Sequence, residues 1–229
     1  MKLVRFARLT LFIGGILALQ APRPCSAEVL TAAKATELRK RFESFQKGTR
    51  FWSAHFSQTL TVPGLKTPIV SEGKIWFRSP DSLRIDFEIP AGEWMLTRGD
   101  VLVVRKPGKT PSEKPLNSSP AGKPLLGLIS LLNGQPVQEA DWFHPEVSRE
   151  GESFHIELVR KEGASSQLPK RISNIVKANS LDVQQVTIHL PNGGSLSYQF
   201  EGVERNRTID PSLFESHVGN ALEGGSKQR

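Results

Sequence analysis

Five histidines are the residues best suited to proton transfer or metal binding near neutral pH: His55, His144, His155, His189 and His217. A zinc site needs such ligands in close pairs, as two histidines one helical turn apart or two nearby cysteines provide. These five are scattered. His55, His155 and His189 alternate with apolar residues, which puts them on the polar faces of expected strands. The stretch Ser71-Glu72-Gly73-Lys74 has the spacing of a serine nucleophile and its lysine base. In a strand an odd offset of three sends the two side chains to opposite faces, so the pair cannot act together. Arg98-Gly99-Asp100 resembles an adhesion tripeptide, but a hairpin turn explains it better. Asn117-Ser118-Ser119 and Asn206-Arg207-Thr208 are glycosylation acceptors only in a eukaryotic secretory pathway. The sequence has no nucleophile elbow, phosphate-binding loop or dinucleotide glycine pattern. The expectation is a protein that is not an enzyme and uses no cofactor or metal.

The elements that would position a binding site begin after a leader. Residues 1–27 carry Lys2, Arg5 and Arg8, then an apolar run from Leu9 to Leu19, then the small residues Cys25-Ser26-Ala27. This is the pattern of a cleaved secretory signal peptide, and the run is too short for the ~20 residues of a spanning helix. Ala21-Pro22-Arg23-Pro24 does not make a lipoprotein cleavage box before Cys25, so the cysteine is expected to leave with the leader. The mature chain then has no thiol for disulfides or metal ligation. Loss of Lys2, Arg5, Arg8 and Arg23 takes the formal charge from +7 to +3. The remaining charges alternate in sign, and no basic stripe with interleaved aromatics points to nucleic acid.

From Thr31 the chain reads as a helix, with Leu38, Phe42 and Phe45 on one stripe, Thr31 as its cap and Gly48 as its stop. Residues 51–64 alternate: Trp52, Ala54, Phe56, Leu60 and Val62 share a face that Gln58 interrupts. Residues 73–90 form a two-stranded ribbon with Ile75, Phe77, Leu83, Ile85, Phe87 and Ile89 on one face. Trp94 and Leu96 lead into a hairpin about Gly99. The proline-, serine- and lysine-rich stretch 106–124 is expected to be an exposed, mobile loop. Leu125, Leu126, Leu128, Ile129, Leu131 and Leu132 cover nearly every side of a short helix, which must be buried or meet something apolar. Strands resume at Phe154, with a hairpin about Asn192-Gly193-Gly194, and residues 219–229 are expected to fray. The fold class is mainly β (α+β): one strongly curved antiparallel sheet with two helices on its concave side.

In this order the segments resemble the periplasmic outer-membrane lipoprotein carrier family, LolA. "FWSAHFSQTL" is similar to the family's aromatic-rich first strand. "EGKIWFRSPDSLRIDFEIP" is similar to its Gly-x-Leu-Trp strand, Arg-Pro turn and next apolar strand. "WMLTRGDVLVV" matches the hairpin that follows. The resemblance covers most of residues 30–214, within a domain expected at 28–218. It implies an incomplete β-barrel whose helices form a lid over an apolar cavity for the acyl chains of a lipoprotein. It further implies a periplasmic monomer with two partners, an inner-membrane transporter and an outer-membrane acceptor. The missing lipid-attachment box favours this soluble carrier over the anchored acceptor, LolB.

The sheet side of the cavity is expected from Phe56, Ile75, Phe77, Leu83, Ile85, Phe87, Trp94 and Leu96, and the lid from Leu128, Ile129 and Leu132. The family's lid-bonding arginine directly precedes the turn proline. Ser79 stands there in this chain, and Arg78, one residue earlier, is the candidate lid or headgroup contact. Two other functions fit the same scaffold: a regulatory sensor of lipid or lipoprotein, and a carrier of a different lipid.

Overall fold

The computed structural model describes residues 27–119, 122–134 and 142–215, apart from the Lys123 side chain. The leader and the 219–229 tail lie outside the described residues. Twelve strands among the described residues form one antiparallel sheet in the order β1-β8-β9-β10-β11-β12-β2-β3-β4-β5-β6-β7. They are β1 (Glu28–Val29), β2 (Phe51–Thr61), β3 (Ile69–Arg78), β4 (Ser82–Ile89), β5 (Trp94–Arg98) and β6 (Val101–Arg105), then β7 (Ser112–Pro115), β8 (Phe143–Glu150), β9 (Ser153–Arg160), β10 (Arg171–Lys177), β11 (Val183–His189) and β12 (Ser195–Arg205). The chain enters at one edge, crosses to the middle at β2 and meanders out to β7. It then returns to the far edge at β8 and closes back onto β2 through β12. Edges β1 and β7 do not pair with each other, so the barrel stays open along a seam.

Two helices lie on the concave side. Helix α1 (Ala32–Lys47) begins where the Thr31 hydroxyl accepts a hydrogen bond from the Lys34 amide, and it stops at Gly48. Leu38 and Phe42 are buried, as their spacing of four requires. Helix α2 (Gly122–Leu132) buries Leu125, Leu128, Ile129 and Leu132 in the same apolar cluster as Ile75, Phe77, Leu83 and Ile85. The two helices meet at Gly134, which has φ +61° and lies so close to α1 that a Cβ would sit 2.6 Å from the Glu43 carbonyl oxygen. In the wall itself, Gly73 lets β4 approach: a Cβ there would sit 2.0 Å from the Asp86 carbonyl oxygen, beside a register shift at Glu72/Gly73.

The expected mobile loop at 106–124 is more ordered than its composition suggests. Ser112–Pro115 pairs with β6, and Leu116, 1% exposed, is inserted in the core below a short helical turn. The expectation failed because edge strands tolerate lysine and proline, residues that in sequence read as linker. Strand β8, "FHPEVSRE", lies next to the other edge, where β1 covers only Ser148 and Arg149, and it hid in the same way.

A second, smaller apolar cluster covers part of the convex face. The segment after β12 crosses back over it and seats Phe214 (2% exposed) against Leu96 and Val103, with Trp76, Trp94, Ile209 and Leu213 around them. Asp210 starts the closing turn Pro211–Phe214 by accepting from the Ser212 amide. That hydrogen bonding holds its carboxyl below the usual range.

Candidate functional site

The concave wall divides into two halves along the strands. Under the helices, Trp52, Ile75 and Phe77 are sealed, and Leu83 and Ile85 are nearly so, at 1% exposed each. Four ring contacts knit this half: Trp52 to Phe200 at 5.3 Å, Phe56 to Phe87 at 5.6 Å, and Tyr198 to both Phe56 and Phe200 at 6.2 Å. Further along the same face the cover runs out. Leu60 pairs with Ile69, which is 48% exposed. Ile89 is 53% exposed, and the register shift at Glu72/Gly73 sets it opposite Glu72 on the convex face, not inward with Phe87 as the ribbon's alternation predicts. Leu60 and Ile69, with Leu196, Ile188 and Ile172, make a half-covered apolar mouth opposite the helix-covered end.

Of the residues expected at this site, the structure brings Phe56, Ile75, Phe77, Leu83, Ile85 and Phe87 together with Leu128, Ile129 and Leu132 on the concave side. It places Trp94 and Leu96 elsewhere. Ile85 pairs with Met95, so Met95 faces inward, while Leu96 and Trp94 turn out to the convex cluster under Phe214. Every residue from Trp94 to Leu96 is apolar, so alternation could not say which set faces inward. Arg78 is also on the convex face: its guanidinium lies 4.5 Å from the centre of the Phe214 ring and 3.4 Å from the Ser82 hydroxyl. It does not touch α2. The residues that do hold α2 are the ones at the turn. The Ser79 hydroxyl donates to Asn133 Oδ1 at 3.2 Å, and Asn133 Nδ2 donates to the Pro80 carbonyl. Thus the one-residue offset of Arg78 changes its face, as strand parity demands, and a neutral pair ties the helix to the turn.

Helix α1 is fixed differently. Arg205 donates to Asp182 Oδ1 at 2.7 Å, to Gln46 Oε1 at 3.1 Å and to Thr49 Oγ1 at 2.7 Å, with its guanidinium 4.4 Å from the Phe45 ring centre. Burial pulls the Arg205 pKa down, and the bond to Asp182 opposes that shift. Asn206 adds acceptance from the Arg50 amide at 2.8 Å and donation to the Gly48 carbonyl at 3.1 Å.

The other motif residues are placed as follows. Ser71 lies on the concave face and Lys74 on the convex face, 5.5 Å from the Trp76 ring centre. His55 and His144 are exposed, and His155 stands 3.5 Å from Glu150 at the surface. His217 is outside the described residues. Among the described residues no three His, Cys, Asp or Glu side chains converge, and no helix is long and apolar enough to cross a membrane. The clefts of about 320 and 530 Å³ beside the C-terminal segment lie on the convex face, lined in part by Trp76 and Arg207 and by Arg84 and Trp94.

An open antiparallel barrel, apolar inside and roofed by two helices, defines a binding scaffold. The comparisons give it a family: residues 47–217 match the family described as "Outer membrane lipoprotein carrier protein LolA", and the chain belongs to it. Its members are binding and carrier proteins of extracytoplasmic compartments, and their fold holds lipid or lipoprotein. Among solved structures, MucB superposes with a TM-score of 0.53 at 11% identity, covering 81% of this chain and 63% of MucB. A LolA superfamily protein from Nitrosomonas europaea gives 0.41 at 9% identity, covering 80% and 97%. A putative outer membrane lipoprotein-sorting protein domain from Vibrio parahaemolyticus gives 0.45 at 10%, covering 80% and 97%. No curated protein matches the chain.

Proposed function

We propose that the protein is a periplasmic carrier that takes up the acyl chains of a lipoprotein against its concave wall and moves them from the inner to the outer membrane. Phe56, Ile75, Phe77, Leu83, Ile85 and Phe87 form the wall. Leu128, Ile129 and Leu132 are the part of α2 that leaves when cargo enters. The donor is an inner-membrane transporter and the acceptor an outer-membrane protein. Residues 1–27 direct export and are removed.

The observation that carries this reading is the burial gradient on one face, from fully covered at Ile75 and Phe77 to about half exposed at Ile69. A structural core would cover its whole apolar face. This one continues uncovered to the mouth, where a hydrocarbon chain can follow it inward.

The energies suit reversible exchange. Burying a 16-carbon chain is worth on the order of 10 kcal/mol. Exposing Leu125, Leu128, Ile129 and Leu132 of α2 costs about 1.5–3 kcal/mol each, a comparable total. The lid thus offsets most of the gain, and cargo can leave for a membrane or a receptor. A site without such a lid would hold its cargo too tightly to deliver it.

Purified protein added to spheroplasts is expected to release lipoprotein into the soluble fraction as a one-to-one complex. The sensor reading predicts binding of detergent-solubilised lipoprotein without release. If neither release nor binding is seen, the carrier reading fails.

A further inference from the structure

Between the covered half of the wall and its mouth, the inward-facing residues are not all apolar. One register row runs across seven strands: Val147, Ile156, Asn174, Val186, Tyr198, Gln58 and Ser71. Four of these seven are polar. Asn174 is 6% exposed, Tyr198 7% and Ser71 7%, and Gln58 is half-buried. None of the four side chains makes a hydrogen bond to another described residue. Buried polar groups are ordinarily paired, and an unpaired one lowers stability relative to an apolar residue of the same shape. Four unpaired in one row need a different account; the buried Thr97 on another inward row, by contrast, is hydrogen-bonded to the Leu83 amide and the Asp81 carbonyl.

Two details point to a ligand. Elsewhere in the molecule, Gln46 Nε2, Trp52 Nε1 and Arg205 Nη2 are unpartnered and sealed from solvent. The polar tips of the row are not in that group; they keep some accessible surface. The row also carries no carboxylate, ammonium or guanidinium. Burial pushes the Tyr198 phenol above its ordinary pKa, so it stays neutral and keeps its proton to donate. Amide, phenol and hydroxyl groups without a nearby charge suit neutral carbonyl oxygens. A phosphate or a free carboxylate would enter without a counter-charge.

The position fits the same ligand. From Asn174 to Ser71 the row spans four strand spacings, about 19 Å at ~4.8 Å each. From Gln58 down β2 to Trp52 the wall runs six residues further under the helices, about 20 Å at ~3.3 Å per residue. A two-residue step the other way reaches Leu60 and Ile69 at the mouth.

We infer that Asn174, Tyr198, Gln58 and Ser71 form a polar belt that receives the uncharged ester or amide carbonyls of an acylated ligand. Its chains run toward the helices and its headgroup lies at the mouth. This rests on the carrier reading and specifies the chemistry of its cargo: acyl linkages are recognised, beyond hydrocarbon alone.

The test compares dioleoylglycerol, which carries two ester carbonyls, with its dioleyl ether analogue, which has the same chains and none. The purified exported protein is expected to bind the diester about tenfold more tightly, with the ester carbonyl stretch shifted to lower frequency in the complex. Asn174→Leu and Tyr198→Phe are each expected to weaken diester binding about fivefold or more. Both should leave the ether analogue within about twofold and hold or raise the melting temperature. Equal affinity of the unaltered protein for both lipids overturns the belt and leaves the carrier reading standing. Variants that weaken both lipids alike assign the row a structural role and also overturn it. Failure of the unaltered protein to bind either lipid overturns the carrier reading and the belt together.

Discussion

Helices α1 and α2 share one concave wall and are held to it by different forces. Helix α1 is amphipathic, and its end is locked by Arg205, which bridges Asp182, Gln46 and Thr49, with Asn206 binding the link to β2. Helix α2 is apolar over most of its surface. Among the described side chains no salt bridge reaches it, and its polar attachment is Asn133 to Ser79 and Pro80. Hydrogen bonds to a fixed guanidinium are directional and are lost together when the helix moves. Apolar contacts can be exchanged for contacts with another hydrocarbon at little net cost. On the proposed carrier reading, α1 belongs to the scaffold and α2 is the part that moves.

Four measurements would break or sharpen this contrast. The largest effect is expected at Leu132, which is fully buried. Leu132→Ala should cost about 3 kcal/mol of stability by leaving a cavity. That lowers the melting temperature by roughly 6–12 °C, read by calorimetry. Arg205→Ala comes next, at about 2–3 kcal/mol, because it strands Asp182 and leaves the α1 end unpaired. The network is partly exposed, with Arg205 at 15% and Asp182 at 22%, which keeps the cost below that of a fully buried pair. Native-state hydrogen exchange should then show the α2 amides opening at lower free energy than those of α1. Equal protection would remove the distinction. The smallest change is Asn133→Ala, which should cost no more than about 1 kcal/mol of stability. It should tighten lipid binding by up to about fivefold, since less is lost on displacing the helix. Weaker binding instead would mean that Asn133 contacts cargo rather than restraining the lid.

The sequence shows much of this arrangement wherever one face of a strand is apolar and the other polar. The β3–β4 ribbon is plain from Ile75, Phe77, Leu83 and Ile85, and α1 from Leu38 and Phe42 with the Thr31 cap. It is silent where both faces are covered. Trp94, Met95 and Leu96 are all apolar because the segment around Phe214 buries the outer side as the helices bury the inner. Only the pairing Ile85 to Met95 resolves which is which. Strands β7, at one edge, and β8, covered by β1 at only two positions, hide for the opposite reason, since exposure lets them carry proline and charge. The polar belt shows the reach of each source. Gln58 is visible as an interruption in an otherwise apolar alternation. Asn174, Tyr198 and Ser71 join it only through registers spanning β10, β11, β12, β2 and β3, which no local pattern encodes.

The unpaired seam between β1 and β7 bears on which guests the molecule admits. In a closed barrel, strand number and stagger fix the circumference. Here β1 holds its neighbour at only two positions and β7 ends the sheet after four residues, so the circumference has slack. A thicker guest can spread the two margins apart without breaking a ladder, and a slimmer one lets them close. On the proposed carrier reading, one girth of passenger is therefore not built into this chain, and what the interior would specify is the chemistry of the part it grips.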